Sequence, residues 1–122
     1  TVPDPQWPET AMTIQAVSIN GRAGFVTAPG EPYVEVGLKI KEASPFPITE
    51  IISLANDFAG GENGKKTHTA YWALGESYRR FDFEPVCTRP DYTFDTTDRY
   101  VDASVSMLKS LRETLRDYPP RG

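Results

Sequence analysis

The dipeptide Asn20-Gly21 stands directly behind an apolar, β-branched run from Met12 to Ile19. Both residues tolerate positive φ, so together they favour a type I′ turn whose twist matches that of two paired strands. An antiparallel hairpin with Arg22 to Thr27 as its return strand is the consequence, and any fold for this chain has to accommodate it. Pro29-Gly30-Glu31-Pro32 marks the next reversal.

Beyond that reversal, Tyr33 to Glu42 alternates. Val34, Val36, Leu38 and Ile40 would share one face of a strand, with Glu35, Lys39 and Lys41 on the other. The period then changes. Ile48, Ile51, Ile52, Ala55 and Phe58 recur at helical spacing, Pro47 suits a first helical turn, and Gly60-Gly61 supplies a stop, which predicts a helix over 48–58. A strand fits the same segment through Ile48, Ile52 and Leu54. Further on, Thr67 to Leu74 and Ser77 to Val86 read as a second hairpin pivoting near Gly75-Glu76. The last element is a helix with Val101, Val105, Leu108, Leu111 and Leu115 along its inner stripe. Thr96 or Thr97 is placed to cap it, Asp98 and Asp102 suit its positive end, and Pro119-Pro120 stops it.

The order strand, strand, strand, helix, strand, strand, helix predicts an α+β fold. Its sheet would hold about five antiparallel strands with two helices on one face. If 48–58 is a strand, the alternative is a β-sandwich with a C-terminal helix. A chain of 122 residues is the size of one ordinary domain. Residues 1–10, with three prolines, read as an extended arm, residues 11–118 as a single globular domain and residues 119–122 as a tail. Proline-rich segments at both ends suggest a module belonging to a larger chain or released from a precursor.

Charge narrows the functional classes. The net charge of −4 argues against a general nucleic-acid or anionic-membrane binder, whose phosphate contacts need a surplus of Lys and Arg. No apolar run approaches the roughly 20 residues that span a bilayer, so membrane insertion is not expected. One Cys, Cys87, precludes an intramolecular disulfide, and one His, His68, removes every metal site built on several imidazoles. These features, with no Asn-x-Ser/Thr sequon, lean towards an intracellular home. No cofactor is implied.

The candidate chemistries are near misses. Gly60-Gly61-Glu62-Asn63-Gly64-Lys65-Lys66-Thr67 echoes a phosphate-binding loop, but Ala59 and Lys66 occupy the positions where it needs Gly and Ser or Thr. On the expected hairpin Cys87 lies about 13 Å along from the residue opposite His68, too far for a thiol–imidazole dyad. Leu74-Gly75-Glu76-Ser77-Tyr78 lacks the second glycine of a serine nucleophile elbow. Asp82 and Glu84, two apart on one strand face with Tyr78 and Arg80, have the spacing of an acid/base pair, although alternating charge is also what a solvated strand surface carries. Asp91, Asp95, Asp98 and Asp102 follow no calcium-loop spacing.

Lys65, Lys66, Arg79, Arg80, Arg89 and Arg99 are interleaved with Tyr71, Trp72, Tyr78, Phe81, Phe83, Tyr92, Phe94 and Tyr100. Aromatic rings beside Arg are what protein interfaces favour, though such rings also fill cores. The reading that follows is a non-catalytic protein-interaction or assembly module, bound to a protein partner or to its own copies. Its expected binding residues are Trp72, Tyr78, Arg80, Asp82 and Glu84. The alternatives are a small hydrolase using Asp82 and Glu84 with Tyr78, or a small-molecule or carbohydrate-binding domain using exposed rings such as Trp72.

Overall fold

A computed structural model describes residues 2–3, 11–56, 71–80 and 95–115. Its centre is a hairpin. Strands β3 (Ala16–Ile19) and β4 (Ala23–Thr27) pair antiparallel, after two short segments, β1 (Val2–Pro3) and β2 (Ala11–Met12), that pair with each other. Asn20 and Gly21 adopt φ of 56° and 66°, the left-handed values a type I′ turn needs, and Arg22 N donates to Ile19 O at 3.2 Å. The strand register pairs Ile19 with Ala23, so Arg22 is one residue more than a two-residue loop would leave.

The next two elements exchange the roles expected of them. Segment 34–43 is not a strand but helix α1 (Val34–Ala43), and the segment expected to be helical supplies strand β6 (Ile48–Ile52) after the short β5 (Glu31–Pro32). The helix buries Val36 and Ile40, one turn apart, and leaves Val34 and Leu38 exposed. A strand would have held all four on one side. What decides the matter is pairing: β6 joins β4 in parallel register, Ala23 with Ile48 through Thr27 with Ile52. Parallel neighbours cannot be joined by a hairpin and need a crossover, which α1 provides. The three-stranded sheet therefore runs β3-β4-β6, mixed rather than all antiparallel, and the described residues of the second expected hairpin, 71–80, depart from it. Strand β7 (Tyr71–Trp72) instead pairs in parallel with β5, and residues 75–80, expected to turn into a return strand, form helix α2 (Gly75–Arg80). The chain is α+β, and among the described residues its largest sheet is this three-stranded mixed one rather than the expected five-stranded antiparallel sheet or a β-sandwich.

Helix α3 (Thr96–Thr114) follows the expected stripe closely. Val101 and Leu108 are buried; Val105, Leu111 and Leu115 pack partly buried against the core. Thr96 and Thr97 do not cap it. Asp95 holds the N-cap position, and both threonines are buried in the first turn. Register places Gly24, Val26, Thr49 and Ile51 on one sheet face. A Cβ on Gly24 would stand 3.1 Å from Leu108 of α3, and one on Gly37 would stand 3.5 Å from Ile51. Both long helices thus cover that same face, and they touch each other across it. Two polar links anchor α2 to them: Ser77 Oγ donates to Glu35 Oε1 at 2.6 Å, and Gly75 N donates to Asp98 Oδ2 at 2.9 Å.

Candidate protein-binding face

Covering one face of the sheet leaves the other outward. Reading the registers across the strands gives three rows on that outer face. Ile19, Ala23 and Ile48 form the row at the Asn20-Gly21 end. Val17, Phe25 and Glu50 form the middle row. Thr27 and Ile52 form the last, extended by Gln15, whose N–H donates to Thr27 Oγ1 at 2.8 Å. Four apolar side chains here are about half exposed: Val17 at 54%, Ile19 at 61%, Ile48 at 51% and Ile52 at 44%. Isolated exposed aliphatics are ordinary, whereas neighbours in register on one surface make a patch.

The patch is graded from apolar to polar. Beside its third row, Asn56 Nδ2 donates to Gln15 Oε1 at 2.8 Å and to Thr27 Oγ1 at 3.2 Å. Asn56 itself has φ of 63°, and Leu54 a φ of 55°, held by a bond from Leu54 N to Gly30 O at 3.1 Å. The one charge within the rows, Glu50, lies on the edge strand β6. Lys41 reaches it from α1 with Nζ 3.0 Å from Oε2. That pair is exposed, so it contributes little stability; its effect is to leave the rim locally neutral in a chain whose net charge is −4.

Of the residues expected to bind, Trp72 is the one whose side chain is among those described. Trp72 is buried, 1% exposed, with its ring edge-on to Tyr100 at a centroid distance of 5.2 Å. It is a core residue and not a surface ring. Among the described residues, Tyr71 pairs with Tyr33 at a ring distance of 6.2 Å, Tyr71 being 45% exposed. Tyr78 and Arg80 belong to helix α2 and not to the strand expected there. The side chains of Tyr78 and Arg80, and all of Asp82 and Glu84, lie outside the described residues, as do His68 and Cys87.

Other surfaces and buried groups offer less. A trough of about 610 Å³ runs between α1 and α3, floored by Val101 and Val105 and walled by Lys39, Glu42, Asp102 and Lys109. Among the described residues no three His, Cys, Asp or Glu side chains are grouped to hold a metal ion, and no helix is long and apolar enough to cross a membrane. Burial pushes the Tyr100 hydroxyl up to about 12, with the nearby Ser104 hydroxyl pulling the other way. That phenol donates to Thr27 O at 3.1 Å and serves the core.

The outer sheet face was not among the expected binding residues. Its signal was present as consecutive apolar residues within strands, Ile51-Ile52 above all, since successive strand residues point to opposite faces and such a pair makes both faces apolar. No known protein family, curated protein or solved structure matches this chain.

Proposed function

We propose that this chain is a non-catalytic protein-interaction module that docks a protein partner on the outer face of β3-β4-β6. The observation that carries the reading is the half-exposed set Val17, Ile19, Ile48 and Ile52, aligned by register on a face that neither α1 nor α3 covers. An apolar centre beside a charged edge, here Lys41 with Glu50, is the layout of a protein interface. A partner strand or sheet would remove the four aliphatics from water, each contributing about 1 kcal/mol for the half still exposed.

The test compares the intact chain with Ile19→Lys and Ile48→Glu, and with Lys109→Ser in the α1–α3 trough as a control. Circular dichroism first establishes that each variant keeps its fold, which exposed positions allow. Crosslinking to a partner in extracts should be lost with both face variants and retained with the control. Recovery of the same crosslinked partners by all four proteins would overturn the reading.

A further inference from the structure

We propose that the edge of β6 takes up an extended segment of another polypeptide as a fourth strand, with a basic side chain opposite Glu50 and an apolar one in the groove beside α1. Edge and groove are distinct from the outer face: their contacts are backbone groups and the flank of a helix, and do not depend on docking there. β6 ends the order β3-β4-β6, so among the described residues it has a strand neighbour on one side only. Ile48 N donates to Arg22 O at 3.3 Å and Ala28 N donates to Ile52 O at 2.9 Å, which turns the even-numbered residues of β6 towards β4. Alternation then turns the backbone groups of Thr49 and Ile51 away from β4. Among the described residues no other backbone group bonds to them on that side. Donors and acceptors repeating about every 6.6 Å along an edge are matched by another extended backbone and by little else.

A groove runs beside that edge. Val34, Gly37 and Leu38 of α1 form one wall, and Ile51 with Ser53, just past β6, forms the other. Its volume of about 180 Å³ is below the roughly 300 Å³ at which small-molecule sites begin, and suits single aliphatic side chains instead. Val34 and Leu38 stand one helical turn apart and are 75% and 60% exposed, so α1 carries an apolar ridge along the groove. A strand laid on β6 sends alternate side chains to this ridge and the others to the outer face, next to Ile48 and Ile52. In such strand addition the main-chain bonds supply affinity, and pockets for alternate side chains supply specificity.

Glu50 decides the charge of the partner. Lys41 and Glu50 line the same groove, and Lys41 Nζ reaches Glu50 Oε2 at 3.0 Å. Both side chains are well exposed, so the pair is weak and an entering strand displaces Lys41 at little cost. The residue laid opposite Glu50 on the new strand becomes its direct cross-strand neighbour, where opposite charges attract and like charges repel. A basic residue there replaces Lys41. The net charge of −4 favours the approach of such a segment at longer range as well.

The probe is a blocked, fluorescein-labelled peptide, Thr-Val-Val-Lys-Val-Val-Thr, whose symmetry about Lys presents the same side chains in either strand direction. Anisotropy titration with about 1 µM to 1 mM of the purified chain should show saturable binding. Leu38→Asp, whose fold circular dichroism checks, should weaken binding about tenfold by setting a carboxylate against the aliphatic side chain in the groove. Replacing the peptide's Lys with Glu should weaken it by about as much. Lys109→Ser, in the α1–α3 trough, should bind as wild type does. N-methylation of alternate peptide amides is the second readout: one set should abolish binding and the other leave it intact, the sensitive set revealing the strand direction. A peptide that does not bind, a Leu38→Asp chain that binds as tightly as wild type, or two methylated sets with equal effect would each overturn the proposal. A Glu peptide that binds as well as the Lys peptide would overturn the role of Glu50. The outer-face reading is judged separately, by the crosslinking comparison, so either can fail without the other.

Discussion

Trp72 and Gly30 meet more closely than any side chain at 30 would allow. A Cβ built on Gly30 would fall 2.5 Å from the indole Cε2 and 2.7 Å from Nε1. The indole is rigid and walled by Tyr100, so it has little room to yield. Gly30→Ala should therefore cost about 1–3 kcal/mol in urea unfolding, with a shift in Trp emission as the ring is displaced. Tyr100 makes a prediction with a pH window. Its folded-state value is about 12 against 10.0 when unfolded, so the neutral phenol is favoured in the fold. Below pH 10 both states keep the proton and the site adds no pH dependence. Between pH 10 and 12 the unfolded chain ionises first, and stability should fall by about 1.4 kcal/mol per pH unit. Tyr100→Phe should be less stable at pH 8, by about 1 kcal/mol for the lost bond to Thr27 O. It should also lack that share of the alkaline decline, which urea titrations of both proteins at pH 8 and pH 11 would reveal.

At the level of elements, the hairpin and the C-terminal helix were legible because local chemistry determines them. Asn20-Gly21 has essentially one good turn to make, and the α3 stripe repeats over nineteen residues. Segment 33–43 was ambiguous in a specific way. Val34, Val36, Leu38 and Ile40 satisfy a period of two, while Tyr33, Val36, Gly37 and Ile40 satisfy a helical one, and only the crossover between β4 and β6 chooses. For β6 a local signal was outweighed too soon: four of its five residues, Ile48, Thr49, Ile51 and Ile52, are β-branched, which favours a strand. The Ile51-Ile52 pair signals that both faces of β6 are apolar, but knowing which side of a strand is outward requires knowing where the helices lie. The helical assignment of α1 is itself testable. Gly37 is mid-helix, and an added Cβ would meet Ile51 Cδ1 at an ordinary 3.5 Å. Gly37→Ala should thus stabilise the protein by about 0.5–1 kcal/mol, read as a higher urea midpoint; destabilisation would count against the packing of α1 on β6.

For the whole molecule, the helices and the outer face divide the labour. Val26, Val36, Ile40, Trp72, Tyr100 and Leu108 hold the fold together on one side of the sheet, and the other side contributes little to that core. Substitutions at Ile19 or Ile48 should accordingly change stability by no more than about 0.5–1 kcal/mol while abolishing partner docking, whereas core changes should do both. Urea unfolding of the same variants used in the crosslinking comparison tests this. The mixed connectivity of the sheet also has a consequence in time. Strands β3 and β4 are neighbours in sequence and need close only a tight turn, while β6 must wait for residues 28–47 to fold back as a crossover. Refolding should therefore begin at the hairpin: substitutions at Ala16 or Val26 should slow refolding, and substitutions at Ile51 should chiefly hasten unfolding. The third strand is the last to arrive and the first to leave, and each departure bares the edge of β4.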